Sequence, residues 1–448
     1  MPRVPRRLSR RLSAVAALLC LALLAAACTT GGPAVETVVV TATSTSGAAA
    51  GQTGSAGDTG AASSDAGTGS ADGSSSIVPT APTSPTVPTT TAEPAPVASV
   101  ASNPKFGSKG LSPSAPIAIT VQKGTIDELT MTNPAGKEVD GTLSDDKQTW
   151  TLGEVLGYGK KYTVTGTATG TDGKQVKISG SYTTVTPTKS ARTTISPGDG
   201  KVVGVAAPVI VGFWTEPEDR AAVEKLVSIT TEPEVEGAWA WIQHDEGYWA
   251  LDFRPKDYWP AGTKVHVSAK VYGFEFTKGV YGAEDVTSDF TIGRNQVTYA
   301  DVNSHELIVK RDGQTVATYP ASFGRATDEA TTTRSGIHVV NDKFDKKLMS
   351  NPRYGYENVL ERYAVRISNN GEFIHANPGT VGAQGNTNVS HGCVNLSLEN
   401  AQAYYESSIY GDPVEVTGTD VQLGPSDGDI FDWAVSWDTW VSLSGKNN

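Results

Sequence analysis

A single cysteine, Cys393, is the residue whose surroundings most clearly indicate chemistry. It lies in the segment Ser390-His391-Gly392-Cys393-Val394-Asn395, and His375 stands 18 residues before it. The other two cysteines, Cys20 and Cys28, lie in or at the end of an N-terminal apolar segment. A lone thiol in an exported domain cannot form an internal disulfide, so it needs another explanation. Because a nearby histidine can take the proton of a thiol, the pattern predicts an activated nucleophile.

The residues beside the thiol indicate how the chain would position it. His375 closes the apolar run Phe373-Ile374-His375, which predicts a strand end that aims the imidazole from a rigid element. Gly392 would let the backbone approach a reacting carbonyl closely. The amide N–H groups of Gly392 and Cys393 would then stabilise a tetrahedral oxyanion. These features together predict a thiolate that attacks a carbonyl group.

The N-terminal region predicts export. Five arginines and no acidic residue accompany an apolar run from Leu12 to Ala27, which is too short and too rich in alanine for a typical membrane span. Residues 1–27 are therefore predicted to be a signal peptide. The run ends in Leu23-Leu24-Ala25-Ala26-Ala27-Cys28, which resembles a bacterial lipoprotein signal. Acylation of Cys28 would tether the protein to the outer face of the cell membrane, within the cell wall. Cleavage near Ala27 and full secretion is the alternative.

Charge and composition characterise the chain beyond this signal. The net charge is -12, and removing the five arginines of the signal leaves -17, which argues against nucleic acid and against electrostatic attachment to anionic lipid. Residues 29–104 contain no Lys, Arg or aromatic residue and are rich in Ser, Thr, Gly, Ala and Pro. Such a segment cannot bury enough apolar surface to fold, so residues 28–104 are predicted to be a disordered linker.

The remainder predicts a mainly β protein. Short alternating apolar runs separated by turn residues predict two immunoglobulin-like β-sandwich modules, at 105–187 and 188–293. The two modules share a weak repeat in which Trp-x-Leu is followed by a Gly-containing turn and another strand. His244 and His266 fall in the second module without evident partners, and neither is assigned a role.

The C-terminal third should carry the thiol. Residues 294–417 are strand-rich, with a hairpin turning at 311–313 and one helix predicted between Ser397 and Tyr410. Residues 418–448 form an extension that is predicted to pack on this catalytic domain. Its tryptophans recur at the spacing of one helical face, and a ligand-binding aromatic platform is the alternative interpretation. They are Trp433, Trp437 and Trp440.

At this point the residues carry a family resemblance. The segment 390–395, with fourteen residues between His375 and Ser390, resembles the signature of the L,D-transpeptidases of bacterial cell walls. The order of lipoprotein signal, linker, two β modules and Trp-containing extension is similar to the actinobacterial members with two immunoglobulin-like modules. Two places depart from the family. The segment Thr333-Arg334-Ser335-Gly336 lacks the proline often found there, and the lid expected over residues 341–356 looks short.

The resemblance implies a reaction on peptidoglycan stem peptides. Cys393 would attack the carbonyl after meso-diaminopimelate in a tetrapeptide stem and release D-Ala, with His375 as its base. The side-chain amine of a neighbouring stem would then take the acyl group, giving a 3→3 cross-link. The resemblance also implies acylation by carbapenems and no cofactor or metal. His391 and Gly392 would shape the catalytic site with Cys393. Substrate contacts would come from Ser390, Asn395, Tyr356 and Met349, the last two as lid residues for which plain packing is the alternative.

Other classes of protein fit the residues less well. Sortases need an arginine after the cysteine, and no arginine follows Cys393; papain-like endopeptidases place cysteine before histidine, and no histidine follows it either. His305 and His338 have no carboxylate or cysteine cluster at metal-ligand spacing. Two alternatives stay open. One is an L,D-carboxypeptidase acting on the same stems, and the other is a non-catalytic cell-wall-binding lipoprotein whose thiol is a small buried hydrophobe.

Overall fold

The computed structural model of the protein describes residues 95–244, 247–427 and 430–447. The predicted signal peptide, Cys28 and most of the predicted linker lie outside this range. Strands dominate the described residues, which confirms the predicted mainly β fold. No helix in these ranges is both long enough and apolar enough to cross a bilayer.

The first module is a sandwich of two antiparallel sheets. One sheet has the order β1-β2-β5-β4 and the other β3-β6-β7. Side chains predicted to point inward, such as Ile119, Trp150 and Val164, are buried between them. The strands are β1 (Ser99–Asn103), β2 (Ala118–Gln122), β3 (Gly124–Thr132), β4 (Gly141–Leu143), β5 (Thr149–Leu152), β6 (Lys161–Gly170) and β7 (Gln175–Thr183).

The position of β1 corrects the predicted end of the linker. The linker was predicted to run to residue 104, but β1 pairs with β2 over its full length. Val100 packs against the core of the module. A strand with a single core-facing side chain carries little hydrophobic signal, because backbone hydrogen bonds to a partner distant in sequence provide most of its order.

The second module has two four-stranded sheets and a small three-stranded one. Their orders are β10-β18-β15-β12, β13-β14-β11-β9 and β16-β17-β8. Phe213, Trp259 and Val267 lie in its core. Its elements are β8 (Lys189–Ala191), β9 (Thr193–Ser196), β10 (Val202–Val203), β11 (Val209–Phe213), α1 (Arg220–Glu224), β12 (Val227–Glu232), β13 (Gly237–Gln243), β14 (Trp249–Pro255), β15 (Lys264–Ala269), β16 (Glu275–Thr277), β17 (Val280–Gly282) and β18 (Val286–Ile292).

The third part contains the sheets that position the site. One has the order β21-β20-β19-β27-β22 and the other β23-β24-β25-β26. The helix α2 begins after Ser397, whose hydroxyl accepts a hydrogen bond from the Asn400 amide and caps it, as the predicted helix requires. The elements are β19 (Gln296–Asp301), β20 (Glu306–Arg311), β21 (Gln314–Pro320), β22 (Gly336–Val339), β23 (Asp342–Asn351), β24 (Tyr356–Arg366), β25 (Phe373–Ala376), β26 (Val394–Leu396), α2 (Leu398–Ser407) and β27 (Pro413–Thr417).

The hairpin β23–β24 lies where the lid was predicted, so we call it the lid hairpin or lid; it is longer than the sequence suggested. Its strands contain 10 and 11 residues, so the hairpin extends from Asp342 to Arg366. Leu348 and Leu360 face solvent on it, with more than half of their surface exposed. The outer half of the hairpin has no regular alternation of polar and apolar residues, so the pattern alone indicated no clear boundary for its second strand.

The C-terminal extension contacts two parts of the molecule, so packing on the catalytic domain alone was an incomplete prediction. Its first segment pairs with that domain, where the Leu423 amide donates to the Ser335 carbonyl at 2.8 Å. The later segment, with helix α3 (Trp437–Ser442), covers the outer face of β13 instead. Trp440 is fully buried there and donates to the Ala238 carbonyl at 2.9 Å. Trp440 therefore serves packing rather than an exposed aromatic platform.

Candidate active site

The predicted nucleophile lies where two parallel strands meet a loop. Cys393 immediately precedes β26, and β26 pairs in parallel with β25 so that Asn395 lies opposite His375. The thiol residue is partly exposed. Gly392 adopts φ +124°, a backbone conformation that residues with a side chain disfavour. A Cβ there would meet no atom closer than 3.8 Å, so the turn itself, more than crowding, requires glycine.

Ser390 organises the loop that carries the thiol. Its hydroxyl donates to the Cys393 carbonyl at 2.5 Å and accepts from the Gly392 amide at 3.1 Å. The Thr333 hydroxyl donates to the Gly392 carbonyl at 2.7 Å from the other side. Because the Gly392 amide is engaged by Ser390, the predicted role of that amide in an oxyanion hole is not supported. The Cys393 amide is the other predicted donor.

His375 is buried at the end of β25, with 4% of its surface exposed. Its Nδ1 lies 3.0 Å from the Ala376 carbonyl oxygen and 3.2 Å from Oε2 of Glu361. Burial by itself would lower the pKa of His375, but the influence of Cys393 and of the carboxylate of Glu361 outweighs burial and raises that pKa to about 10. The imidazole is therefore a strong acceptor for the thiol proton.

Sequence reasoning missed Glu361. It lies on the lid strand β24 and lines the same cavity as Cys393 and His375. The alternating pattern of Tyr363, Val365 and Ile367 gave no signal for it, because a register shift between Arg362 and Val365 puts Glu361 on the face opposite Val365. The pattern could not indicate that His375 would lie opposite.

His391 stands under the lid. Its ring stacks on Tyr354 at 4.6 Å between centroids and lies 5.6 Å from the ring of Tyr356. Burial and then the nearby guanidinium of Arg325 lower the pKa of His391, which favours its neutral form. Tyr354 also donates to the Asp328 carboxylate at 3.3 Å, so it connects the lid to the loop before β22. Sequence reasoning missed Tyr354 as well, since nothing local distinguishes it from Tyr356.

Most of the predicted site residues surround one open cavity of about 270 Å³. They are Met349, Tyr356, His375, Ser390, His391, Cys393 and Asn395. Gly392 lies instead on a second cavity of about 330 Å³, which also reaches Cys393 and His391. Two openings therefore meet at the thiol, and the second is lined by the cations of Arg334, Lys347 and Arg366.

Arg334, at the place where the sequence departs from the family pattern, has a structural role. Its guanidinium lies 2.6 Å from Asp427 of the extension and 3.4 Å from Glu372. Its backbone amide donates to the same Glu372 carboxylate at 3.1 Å. Burial raises the pKa of Glu372, against the opposing effects of His338 and Arg334. This ionic cluster supports the back of the Gly392 turn.

The remaining histidines of this domain make ordinary contacts. His305 Nδ1 lies 2.9 Å from Asn388 Oδ1, and His338 Nε2 lies 2.8 Å from the Arg334 carbonyl oxygen. In the described ranges, no group of three or more His, Cys, Asp and Glu side chains is arranged to hold a metal ion.

Two protein-family models match the chain. A bacterial Ig domain matches residues 108–275, and an L,D-transpeptidase catalytic domain matches residues 295–416. The second match contains every predicted site residue from Met349 to Asn395.

Curated proteins from Mycobacterium tuberculosis are similar over most of the chain. L,D-transpeptidase 5 is 49% identical over 349 residues, which covers 78% of this chain and 77% of that protein. L,D-transpeptidase 2 is 37% identical over 348 residues, covering 76% of this chain and 83% of that protein. A solved structure of the L,D-transpeptidase LdtMt1 in complex with imipenem has 32% identity and a TM-score of 0.43, covering 52% of this chain and all of that one.

Proposed function

This chain belongs to the L,D-transpeptidase family, and from that premise we propose that it forms 3→3 cross-links in peptidoglycan through a thioester on Cys393. The observation that carries the proposal is the meeting of a partly exposed thiol and a buried imidazole at the floor of an open cavity. The raised pKa of His375, about 10, favours transfer of the thiol proton to the imidazole.

The first half-reaction consumes a tetrapeptide stem. The Cys393 thiolate attacks the carbonyl carbon after meso-diaminopimelate, and the electron pair of that carbonyl moves to its oxygen. When the tetrahedral intermediate collapses, the C–N bond to D-Ala breaks and the imidazolium of His375 gives its proton to the leaving amine. A thioester and free D-Ala result.

The second half-reaction transfers the acyl group to another stem. The side-chain amine of that stem loses a proton to His375 and attacks the thioester carbon, which releases the thiolate and forms the new amide bond. Two openings that meet at Cys393 support a reaction in which two peptides must reach one sulfur atom. A water molecule in place of the amine would make the enzyme an L,D-carboxypeptidase.

A purely binding role is less well supported. In that alternative the cysteine would be a small buried hydrophobe, yet Cys393 is partly exposed and lies beside His375 in a cavity. We also propose that carbapenems acylate the same thiol, because a strained lactam carbonyl is an electrophile of the same class as the stem amide. Acylation at Cys28 would hold the enzyme at the outer face of the membrane.

Product analysis tests the proposal. Purified protein incubated with a disaccharide-tetrapeptide should yield a dimer whose mass equals two substrates less one D-Ala, and Cys393→Ala should yield none. A product that has lost D-Ala and gained water, without any dimer, would establish the carboxypeptidase instead. Folded wild-type protein that neither turns over the substrate nor forms a covalent adduct with a carbapenem would favour the binding role.

A further inference from the structure

The lid hairpin directs one carboxylate at the imidazole of the candidate site. Oε2 of Glu361 lies 3.2 Å from Nδ1 of His375, and only 16% of the Glu361 side chain and 5% of the His375 side chain are exposed. The same Nδ1 lies 3.0 Å from the carbonyl oxygen of Ala376. Two acceptors therefore face Nδ1 of His375, and only one of the two carries a charge.

A backbone irregularity lies beside this contact. Along β24 and β25, Arg362 pairs with Ala376 and Val365 pairs with Ile374, so two residues of β24 stand opposite His375 alone. One of these two residues, Tyr363, has φ +50°, a conformation that costs free energy for a residue with a bulky side chain. Such a β-bulge changes the direction of neighbouring side chains, and bulges of this kind occur frequently beside active sites.

We propose that Glu361 is a positioning residue that keeps the Nδ1 proton of His375 on the side away from Cys393 and stabilises the imidazolium formed when the thiol loses its proton. This inference rests on the proposed function and deepens it, since it gives the site a Cys–His–Glu arrangement. The Ala376 carbonyl can orient a neutral imidazole without help. The specific contribution of Glu361 is therefore its negative charge.

The titratable groups around the imidazole are consistent with this role of Glu361. Cys393 faces His375 from the nucleophile loop, Tyr356 faces the cavity from the start of β24, and His391 lies across it. The pKa of Tyr356 is raised by burial and then by the charges of Cys393 and Glu361, so its hydroxyl stays protonated. Arg362, the cation next to Glu361 in sequence, extends instead toward Asp345 at 3.5 Å. Glu361 is thus the carboxylate that raises the pKa of His375 together with Cys393.

The first test replaces the charge and keeps the shape. In Glu361→Gln, the pKa of His375 should fall by about 1 to 3 pH units, the usual effect of losing a close opposite charge. The titration can be followed by NMR on protein labelled at histidine, with the His375 signal identified by its loss in His375→Gln. Glu357→Gln is the matched control, because Glu357 is an exposed acid on the same strand.

The second test uses steady-state transpeptidation. Glu361→Gln should lower kcat by about 10- to 100-fold with little change in KM for the stem peptide, because proton transfer is impaired while substrate contacts remain. The alkaline limb of the pH–rate profile should move to lower pH by the amount seen in the titration. Glu361→Asp, which retains the charge, should recover part of both effects.

Two results would overturn the inference. One is an unchanged His375 titration in folded Glu361→Gln, and the other is an equal fall in Glu357→Gln, which would indicate a general effect of net charge. Should Glu361→Gln fail to fold, Glu361→Ala removes the same charge, and an unchanged His375 titration in that variant would also refute the inference. The titration needs no substrate, so it separates this inference from the proposed function. A wild-type protein that does not turn over the substrate would refute only the proposed function.

Discussion

Two histidine–carboxylate pairs of the same length lie in different parts of this molecule. His375 and Glu361 are 3.2 Å apart in the catalytic domain, and His244 and Asp252 are also 3.2 Å apart in the second module. Both side chains of the second pair are completely buried, whereas the first pair lines an open cavity that also contains Cys393. The pairing itself therefore does not make an active site. An active site also needs a neighbouring nucleophile and an opening through which a substrate can enter.

The surroundings of the second pair reinforce this contrast. His244 stacks on the ring of Tyr248 at 4.9 Å, and Asp252 lies near a second buried acid, Asp432 of the C-terminal extension. Burial, and then the charge of Asp252, raise the pKa of Asp432 well above its ordinary value. The nearby Arg254 packs against Trp433, Trp437 and Trp440, which lie 4.8 to 5.3 Å from its guanidinium. This cluster joins the extension to the module, so its energetics concern stability.

The largest expected difference between the pairs is in acylation. His375→Ala should slow covalent modification by a carbapenem by about 10²- to 10⁴-fold, because the thiol loses its base. His244→Ala should react within about twofold of wild type, since His244 is sealed from the cavity. Mass spectrometry at timed intervals measures both rates. Slow acylation in folded His244→Ala would break the comparison.

Stability should show the opposite order. His244→Ala should lower the free energy of unfolding by about 3 kcal/mol, because Asp252 is left as a buried carboxylate without this partner. His375→Ala should cost less, as Glu361 is partly exposed and can be hydrated. Chemical denaturation of both variants gives the two values. Equal losses would mean that solvent access does not distinguish the pairs.

The free energy of unfolding should also depend on pH through the contact between the second module and the C-terminal extension. The pKa of Asp432 is raised in the folded state, so its stabilising contribution is complete below about 4 and is lost as the pH rises toward the folded value. Wild type should therefore lose up to about 1.4 kcal/mol per pH unit within that window relative to Asp432→Asn. Denaturation at several pH values checks this, with Asp438→Asn on the exposed face of α3 as the control. A constant difference between wild type and Asp432→Asn would contradict it.

The smallest effect is expected for a third pair. His266 and Asp289 are closer together, at 2.8 Å, but 45% and 69% of their side chains are exposed. Solvent screens such pairs, so His266→Gln should change the free energy of unfolding by less than about 1 kcal/mol and leave acylation unaltered. The same denaturation and mass measurements apply. A loss comparable to that of His244→Ala would show that distance matters more than burial.

Much of the site was predictable because its central residues are close in sequence. The loop 390–395 and the strand that contains His375 are neighbours in one sheet, and parallel pairing of β25 with β26 brings them together. Glu361 and Tyr354 could not be found in the same way. They come from the lid hairpin, whose register and bulge depend on contacts with strands that lie later in the chain.

The fold was likewise predictable in part from the sequence. Alternation with a period of two identified the sandwich strands, and the apolar spacing between Ser397 and Tyr410 identified α2. The partner of the extension could not be identified, because an apolar face does not specify which surface will cover it. Ala240 and Ile242 on β13 supply that surface, and they look like ordinary strand residues in the sequence.

The order of residues along the chain is enough to establish which chemistry is available. One short segment supplies a thiol, a histidine at a fixed spacing and a glycine that permits a sharp turn. Folding in three dimensions determines how strongly the imidazole of His375 binds a proton. Proton affinity depends on burial and on the distance to charges, and the charge nearest to His375 belongs to another strand. His244 also pairs with a carboxylate, but both side chains are completely buried, so this pair is part of the core.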